Sequence, residues 1–209
     1  THSLAPLNET QMGLEQNVAE MASDAPPVLK VGLIGAGRVG IALSRALQNH
    51  GHSIVAAHAI SDKSKQRVLN YLPATDLQSI EKLIENVQTV LLAVPDDVLA
   101  DLVRGIAQTI GFKKHQFVIH TSGRFGIDVL APATAQGALP MAIHPAMTFT
   151  GAPNDVDRII GCPFAITTSD ELLPIAAALV LNMGGREYVV AESDRSIYHA
   201  ALSHAANHS

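Results

Sequence analysis

With a single cysteine, Cys162, the chain can form no internal disulfide. That scarcity fits a reducing compartment, so the expected location is cytoplasmic. Charged residues make up only 16%, and no sustained basic stripe accompanies the net charge of −5, which argues against a nucleic-acid partner. Long hydrophobic runs are missing as well. Apolar runs such as Thr89 to Pro95 are far too short to cross a bilayer, so no membrane partner is expected. The first residues lack a charged stretch leading into an apolar core and do not read as a signal peptide. Residues 1–28 carry Pro6, Asn8, Glu9, Thr10, Asp24, Pro26 and Pro27 and read as a flexible tail, with room for a short helix from Glu9 to Met21. What is abundant is apolar: 47% of 209 residues, which suits a globular α/β protein with a buried parallel sheet.

The most informative stretch is Leu29 to Gly40. Lys30 to Ile34 reads as a buried strand, and Gly35, Gly37 and Gly40 open a helix whose apolar residues Val39, Ala42, Leu43, Ala46 and Leu47 keep helical spacing. Gly35 permits the turn, Gly37 leaves the backbone bare toward a diphosphate, and Gly40 lets helix and strand approach. The uncapped amides at such a helix start form an anion site. Gly51 stops the helix and Ser53 to Ala57 forms a second strand, so the glycine pattern sits in its required strand–helix–strand context.

Further alternation follows. Helical stretches are expected at Lys63 to Asn70 and within Leu72 to Asn86, then a strand at Gln88 to Val94 ending in Pro95-Asp96-Asp97, where either aspartate can cap the next helix. That helix shows Leu99, Leu102, Val103, Ile106 and Ile110 on one face. Strands are expected at Gln116 to His120, Leu139 to His144, Phe164 to Thr167 and Glu187 to Val190. Helices are expected near Ile127 to Ala133 and from Asp170 to Met183. The fold class is therefore a doubly wound, mostly parallel α/β sheet of seven or eight strands over residues 29–191. Ser193 reads as the N-cap of a last helix that runs from Arg195 toward the terminus, with Asp194 favouring its first turn; it stops at Ser209 in mid-pattern, so 192–209 is expected to be the start of a truncated all-α domain.

Ligands of such sheets bind beyond the carboxyl ends of the strands. The cofactor candidates are Gly35, Gly37, Arg38, Val39, Gly40, Ser61, Val94 and Pro95. Arg38 fits either a place over the phosphates or adenine, or an exposed helix position. An NAD site would place an acidic residue near the end of the second strand. Here His58, Ala59, Ile60 and Ser61 stand there, Asp62 comes slightly late, and Lys63, Lys65 and Arg67 follow, which favours NADP(H) and leaves NAD as the alternative. Ser122 fits either a donor to the substrate or nicotinamide amide, or a turn hydroxyl. His144 fits either a proton donor or a backbone-bonded strand end. His199, Ser203 and Asn207 recur at four-residue spacing, with His199 as acid/base and Asn207 orienting substrate. His204 and His208 are also four apart, but no third ligand with sensible spacing supports a metal.

These residues resemble a family of predicted oxidoreductases in which a Rossmann-like domain joins a helical domain of unknown function, within the 6-phosphogluconate-dehydrogenase-like class. The features are GAGRVG at 35–40, AVPDD at 93–97, HTSG at 120–123, HPAMTF at 144–149 and YHAALSHAAN at 198–207. The resemblance implies an NADP(H)-dependent oxidoreductase acting on a small keto or hydroxy acid, ketopantoate among the plausible substrates, and a homodimer formed through the C-terminal helical region. In the related β-hydroxyacid dehydrogenases a Ser-Gly pair follows a strand and a helix supplies a lysine and, four residues later, an asparagine. Ser122-Gly123 matches the first feature, whereas Arg195 and His199 occupy the second spacing, so the acid/base role passes to His199 or His144. The rival reading is a non-catalytic dinucleotide-binding sensor or scaffold.

Overall fold

The computed structural model describes residues 28–207, so the tail and His208 lie outside the described residues. Eight strands form one sheet in the order β3-β2-β1-β4-β5-β6-β7-β8. They are β1 (Lys30–Ile34), β2 (Ser53–His58), β3 (Asp76–Leu77), β4 (Thr89–Leu92), β5 (Phe117–His120), β6 (Leu139–Pro145), β7 (Pro163–Thr167) and β8 (Arg186–Val189). Every neighbouring pair is parallel except β6 and β7. The reversal of strand order at β1 and β4 opens a crevice at their carboxyl ends, where such folds bind ligands.

The buried strands carry apolar residues on both faces, each covered by helices. Leu33, Leu91, Ile119, Met141 and Phe164 pack with α1 (Arg38–Asn49) and α7 (Leu173–Asn182). On the opposite face, Ile34, Val90, Leu92 and Val118 pack with α3 (Ile80–Asn86), α4 (Asp96–Thr109) and the short α5 (Ala131–Thr134). The helix α2 (Asp62–Tyr71) flanks the β2 edge and buries only Val68.

Four local features depart from the sequence reading. β3 is a two-residue strand inside the 72–86 stretch, where the sequence predicts a turn and a helix. A four-residue helix, α6 (Asp155–Arg158), lies in the 146–162 connection. That connection returns the chain to the end of β6 it left, pairing Pro145 with Phe164, so β7 must run antiparallel. Finally, Ser193 is not the N-cap of the last helix. It lies in a 3-10 turn, Glu192–Asp194, and bonds Asp194, although α8 (Arg195–Asn207) does begin at Arg195 as expected.

The β6–β7 register places the end of the chain at the crevice. β6 runs past the end of β5, which pairs its last residue His120 with Ala142. β7 pairs with the distal half of β6, from Ala142 to Pro145, and Val189 of β8 is level with Ile166. The segment leaving β8 therefore emerges beside the 120–123 turn, and α8 starts there.

Candidate functional site

At the first corner, Gly35 adopts φ +96°, and a Cβ there would stand 2.5 Å from the Ala93 carbonyl oxygen. Gly40 is equally confined, since an added Cβ would run into the Gly35 carbonyl oxygen. Gly37 differs: nothing lies within 4 Å of its Cβ position. It is the N-cap of α1 with no side-chain cap and no acidic residue in the first turn. The amides of Arg38, Val39 and Gly40 thus end a helix dipole in open space, which fits a diphosphate. Val94 packs against Gly35, and Pro95 is the N-cap of α4. Asp96 and Asp97 lie in the first turn of α4 rather than capping it, where they still favour its dipole.

The ribose side is polar but carries no acid at the strand end. His58 Nδ1 donates to the Gln78 carbonyl oxygen at 3.0 Å, so Nδ1 holds the proton. Ser61 is the N-cap of α2, its Oγ accepting from Ser64 N at 3.2 Å. Lys63 is exposed, Lys65 sits 3.6 Å from Asp62, and Arg67 is half-buried. Arg38 reaches the 146–162 connection and donates to Phe149 O at 3.5 Å, so it is neither buried nor wholly unattached.

The second corner gathers HTSG, HPAMTF and YHAA. His120 is fully buried, its Nε2 donating to Gly126 O at 2.8 Å and its Nδ1 accepting from Ser122 N at 3.2 Å. Burial pushes its pKa down to about 4, so it is a neutral structural imidazole. Ser122 Oγ accepts from Arg124 N and Phe125 N at 3.1 and 3.2 Å, which is the turn role. Its hydroxyl proton is still available as a donor.

Arg195 occupies the centre. It is 2% exposed, yet its bonds all go to neutral groups. Nε donates to Thr167 Oγ1 at 2.7 Å, Nη1 to Ser122 O at 3.3 Å, and Nη2 to Ala142 O and Ala165 O at 3.0 and 3.1 Å. Those bonds fix the rotation of α8. Arg195 is buried and Tyr198, His199 and Leu202 are half-buried, whereas Ser203 and His204 are exposed. The inward stripe is therefore 195–198–199–202, not the 199–203–207 face expected from spacing. Asn207 is the last residue of α8, and its side chain lies outside the described residues.

Tyr198 meets His144, with Oη 2.8 Å from Nδ1 and the rings edge-on at 85°. His144 packs onto Gly123, where a Cβ would come 2.8 Å from Nε2. Burial, then the Arg195 and His199 charges, push the His144 pKa down to about 4 against the opposing pull of Asp96. At neutral pH it is uncharged, so it offers a hydrogen bond but no net charge. A further residue invisible to local patterns is Glu192, whose carboxylate accepts from Ile127 N at 2.6 Å and Asp128 N at 3.4 Å and fills the space left by Gly126. Among the described residues no group of three histidine, cysteine or acidic side chains could hold a metal, and no helix is long and apolar enough to cross a membrane.

Comparison with known proteins places the chain by its fold. The Rossmann-like domain family matches residues 15–145, and a domain of unknown function, DUF2520, matches residues 162–209. No curated protein matches the chain. Among solved structures it is similar to a candidate NADP oxidoreductase from Bacteroides fragilis, with TM-score 0.70 and 21% identity over 86% of this chain and 67% of that one. A prephenate dehydrogenase from A. aeolicus, solved with hydroxyphenyl propionate and NAD+, superposes with TM-score 0.68 and 13% identity, over 89% of this chain and 72% of that one. A 1-pyrroline-5-carboxylate reductase from Streptococcus pyogenes gives TM-score 0.65 and 20% identity, over 83% of this chain and 62% of that one. The chain thus spans roughly two thirds of these proteins' lengths, and at such identities the likeness shows the fold alone.

Proposed function

Given that the chain belongs to the Rossmann-like domain family, we propose that it is an NADP(H)-dependent oxidoreductase acting on a small keto or hydroxy acid. The observation that carries this reading is the uncapped start of α1, with Gly37 in open space at the β1–β4 crevice. When bound there, the nicotinamide nucleotide supplies or takes the hydride. The amides of Arg38, Val39 and Gly40 would bind the diphosphate. Ser61 and Lys63 would favour a 2′-phosphate, because a carboxylate is missing at His58 and its neighbours. His144 would place a hydrogen bond at the substrate oxygen, with Ser122 as a second donor. The buried Arg195 charge, unmatched by any bonded carboxylate, favours an anionic substrate and stabilises negative charge growing on that oxygen.

Titration with NADPH and NADH by fluorescence, followed by a panel of keto acids with nucleotide oxidation as readout, tests the proposal. Tighter NADPH binding and turnover of at least one keto acid are expected. Binding of neither nucleotide would overturn the proposal. An NADPH/NADH affinity ratio unchanged by Ser61→Ala and Lys63→Ala would overturn the assignment of the 2′-phosphate.

A further inference from the structure

Tyr198 opens the YHAA motif but no role follows from its spacing, and its partner His144 is 54 positions away. Three contacts nevertheless hold it in one place. Its ring lies edge-on to the imidazole with centroids 5.6 Å apart, the Arg195 guanidinium sits 5.8 Å from its centroid, and its hydroxyl meets His144 Nδ1. Arg195 is itself locked by its four bonds, so the phenol is mounted on a rigid post.

Which of the two partners donates follows from accounting for protons. Burial pushes the Tyr198 hydroxyl up to about 12, so it keeps its proton at neutral pH. A half-buried phenol seeks an acceptor, and His144 Nδ1 is the one polar partner of that oxygen among the described residues. Were Nδ1 protonated, it would donate to the phenol oxygen and leave the phenol proton with no protein acceptor. With Nδ1 as acceptor both groups are satisfied, and the imidazole proton stands on Nε2. That N–H donates to no protein acceptor among the described residues, and it lies against Gly123, whose missing side chain makes room for it. His120 in the same turn is also held as its Nε2–H form, but by Gly126 O and Ser122 N, so its proton is committed to the fold.

We propose that Tyr198 is a positioning residue whose hydroxyl donates to His144 Nδ1, fixes the Nε2–H tautomer and sets His144 as a neutral hydrogen-bond donor to an oxygen of the bound substrate. The substrate half of this statement rests on the oxidoreductase reading; the tautomer half does not. The groups facing the imidazole are Arg195 and His199 from α8, Asp96 from α4 and His120 from β5, and none of them replaces the phenol at Nδ1. Glycine at 123 is part of the arrangement, since any Cβ there would displace the ring.

The test uses the whole chain with 15N-labelled histidine side chains, and Tyr198→Phe as the variant. In the unaltered protein at neutral pH, His144 should show a protonated Nε2 and an unprotonated Nδ1. Tyr198→Phe should leave the NADPH affinity within about twofold, shift His144 toward a mixture of tautomers, and lower kcat for a responsive keto acid by about 10- to 100-fold. A protonated Nδ1 in the unaltered protein overturns the proposal, as does a His144 tautomer unmoved by the substitution. Should the variant fail to fold, the unaltered protein's tautomer decides. If no keto acid is turned over at all, the oxidoreductase reading falls while the tautomer measurement still judges Tyr198.

Discussion

Two glycines of one motif should respond in opposite ways to the same added methyl group. In Gly35→Ala the new Cβ would stand 2.5 Å from the Ala93 carbonyl oxygen on a backbone with φ +96°. The left-handed conformation costs a residue with a Cβ about 1–2 kcal/mol, and relieving a clash with main chain adds to it, so about 3 kcal/mol of destabilisation is expected. For a chain of this size that lowers the melting temperature by roughly 6–12 °C. In Gly37→Ala the Cβ meets nothing within 4 Å, and the backbone, φ −76° and ψ −170°, is open to any residue. Stability should change by no more than about 0.5 kcal/mol, since loss of a good N-cap residue offsets the gain from a stiffer unfolded chain. The methyl does, however, stand where a diphosphate must approach the helix amides. Losing close contact there should weaken NADPH binding by about 10- to 100-fold, equivalent to about 1.4–2.8 kcal/mol. Thermal unfolding and fluorescence titration of the two variants side by side measure both quantities. A Gly37→Ala protein that is stable and binds NADPH as tightly as the parent would refute the placement of the diphosphate. A Gly37→Ala protein as unstable as Gly35→Ala would refute the geometry of the corner.

Three further outcomes follow from the second corner. Folded His120 and His144 titrate near 4, while the unfolded chain binds the same protons near 6.5, so stability is full above about pH 6.5 and falls as the pH drops toward 4. Each should cost about 2 kcal/mol at pH 5, measurable by urea unfolding; equal stability at pH 7 and 5 would contradict their burial as neutral rings. Arg195→Met would remove the donors to Thr167 Oγ1, which keeps its own bond to Val190 O, and to the carbonyls of Ser122, Ala142 and Ala165, a loss of about 3 kcal/mol after the relief of burying a charge, and a change under ~1 kcal/mol would show those bonds to be dispensable. Glu192→Gln should cost about 1 kcal/mol and speed hydrogen exchange at the Ile127 amide, because its charge-assisted acceptor is weakened.

The parts of the site that were legible in the sequence are those whose cause is local. The glycine spacing at 35–40 and the helical periodicity of Val39 to Leu47 follow from backbone sterics and one helix face, and both are visible within a dozen residues. Ser122 as a turn hydroxyl is of the same kind, since its bonds reach only two and three residues ahead. Four-residue spacing does not identify the inward face of α8, because it describes a stripe without saying which stripe turns inward. That choice belongs to Arg195, which reaches Ser122 O, 73 positions back.

From its own residues the chain determined an α/β alternation, a bare helix start fit for an anion, and the candidates His144, Ser122 and His199. The order of neighbouring residues controls backbone conformation and periodicity, so these needed no distant partner. Tertiary structure alone decided that β7 runs antiparallel, because a strand buried on both faces has the same composition in either direction. It likewise decided that Tyr198 holds His144 and that Glu192 holds the 127–128 amides, contacts that exist only once the β6–β7 register delivers α8 to the crevice. Hydrogen bonds act over about 3 Å of space and are indifferent to separation along the chain, which is why no local pattern announces them.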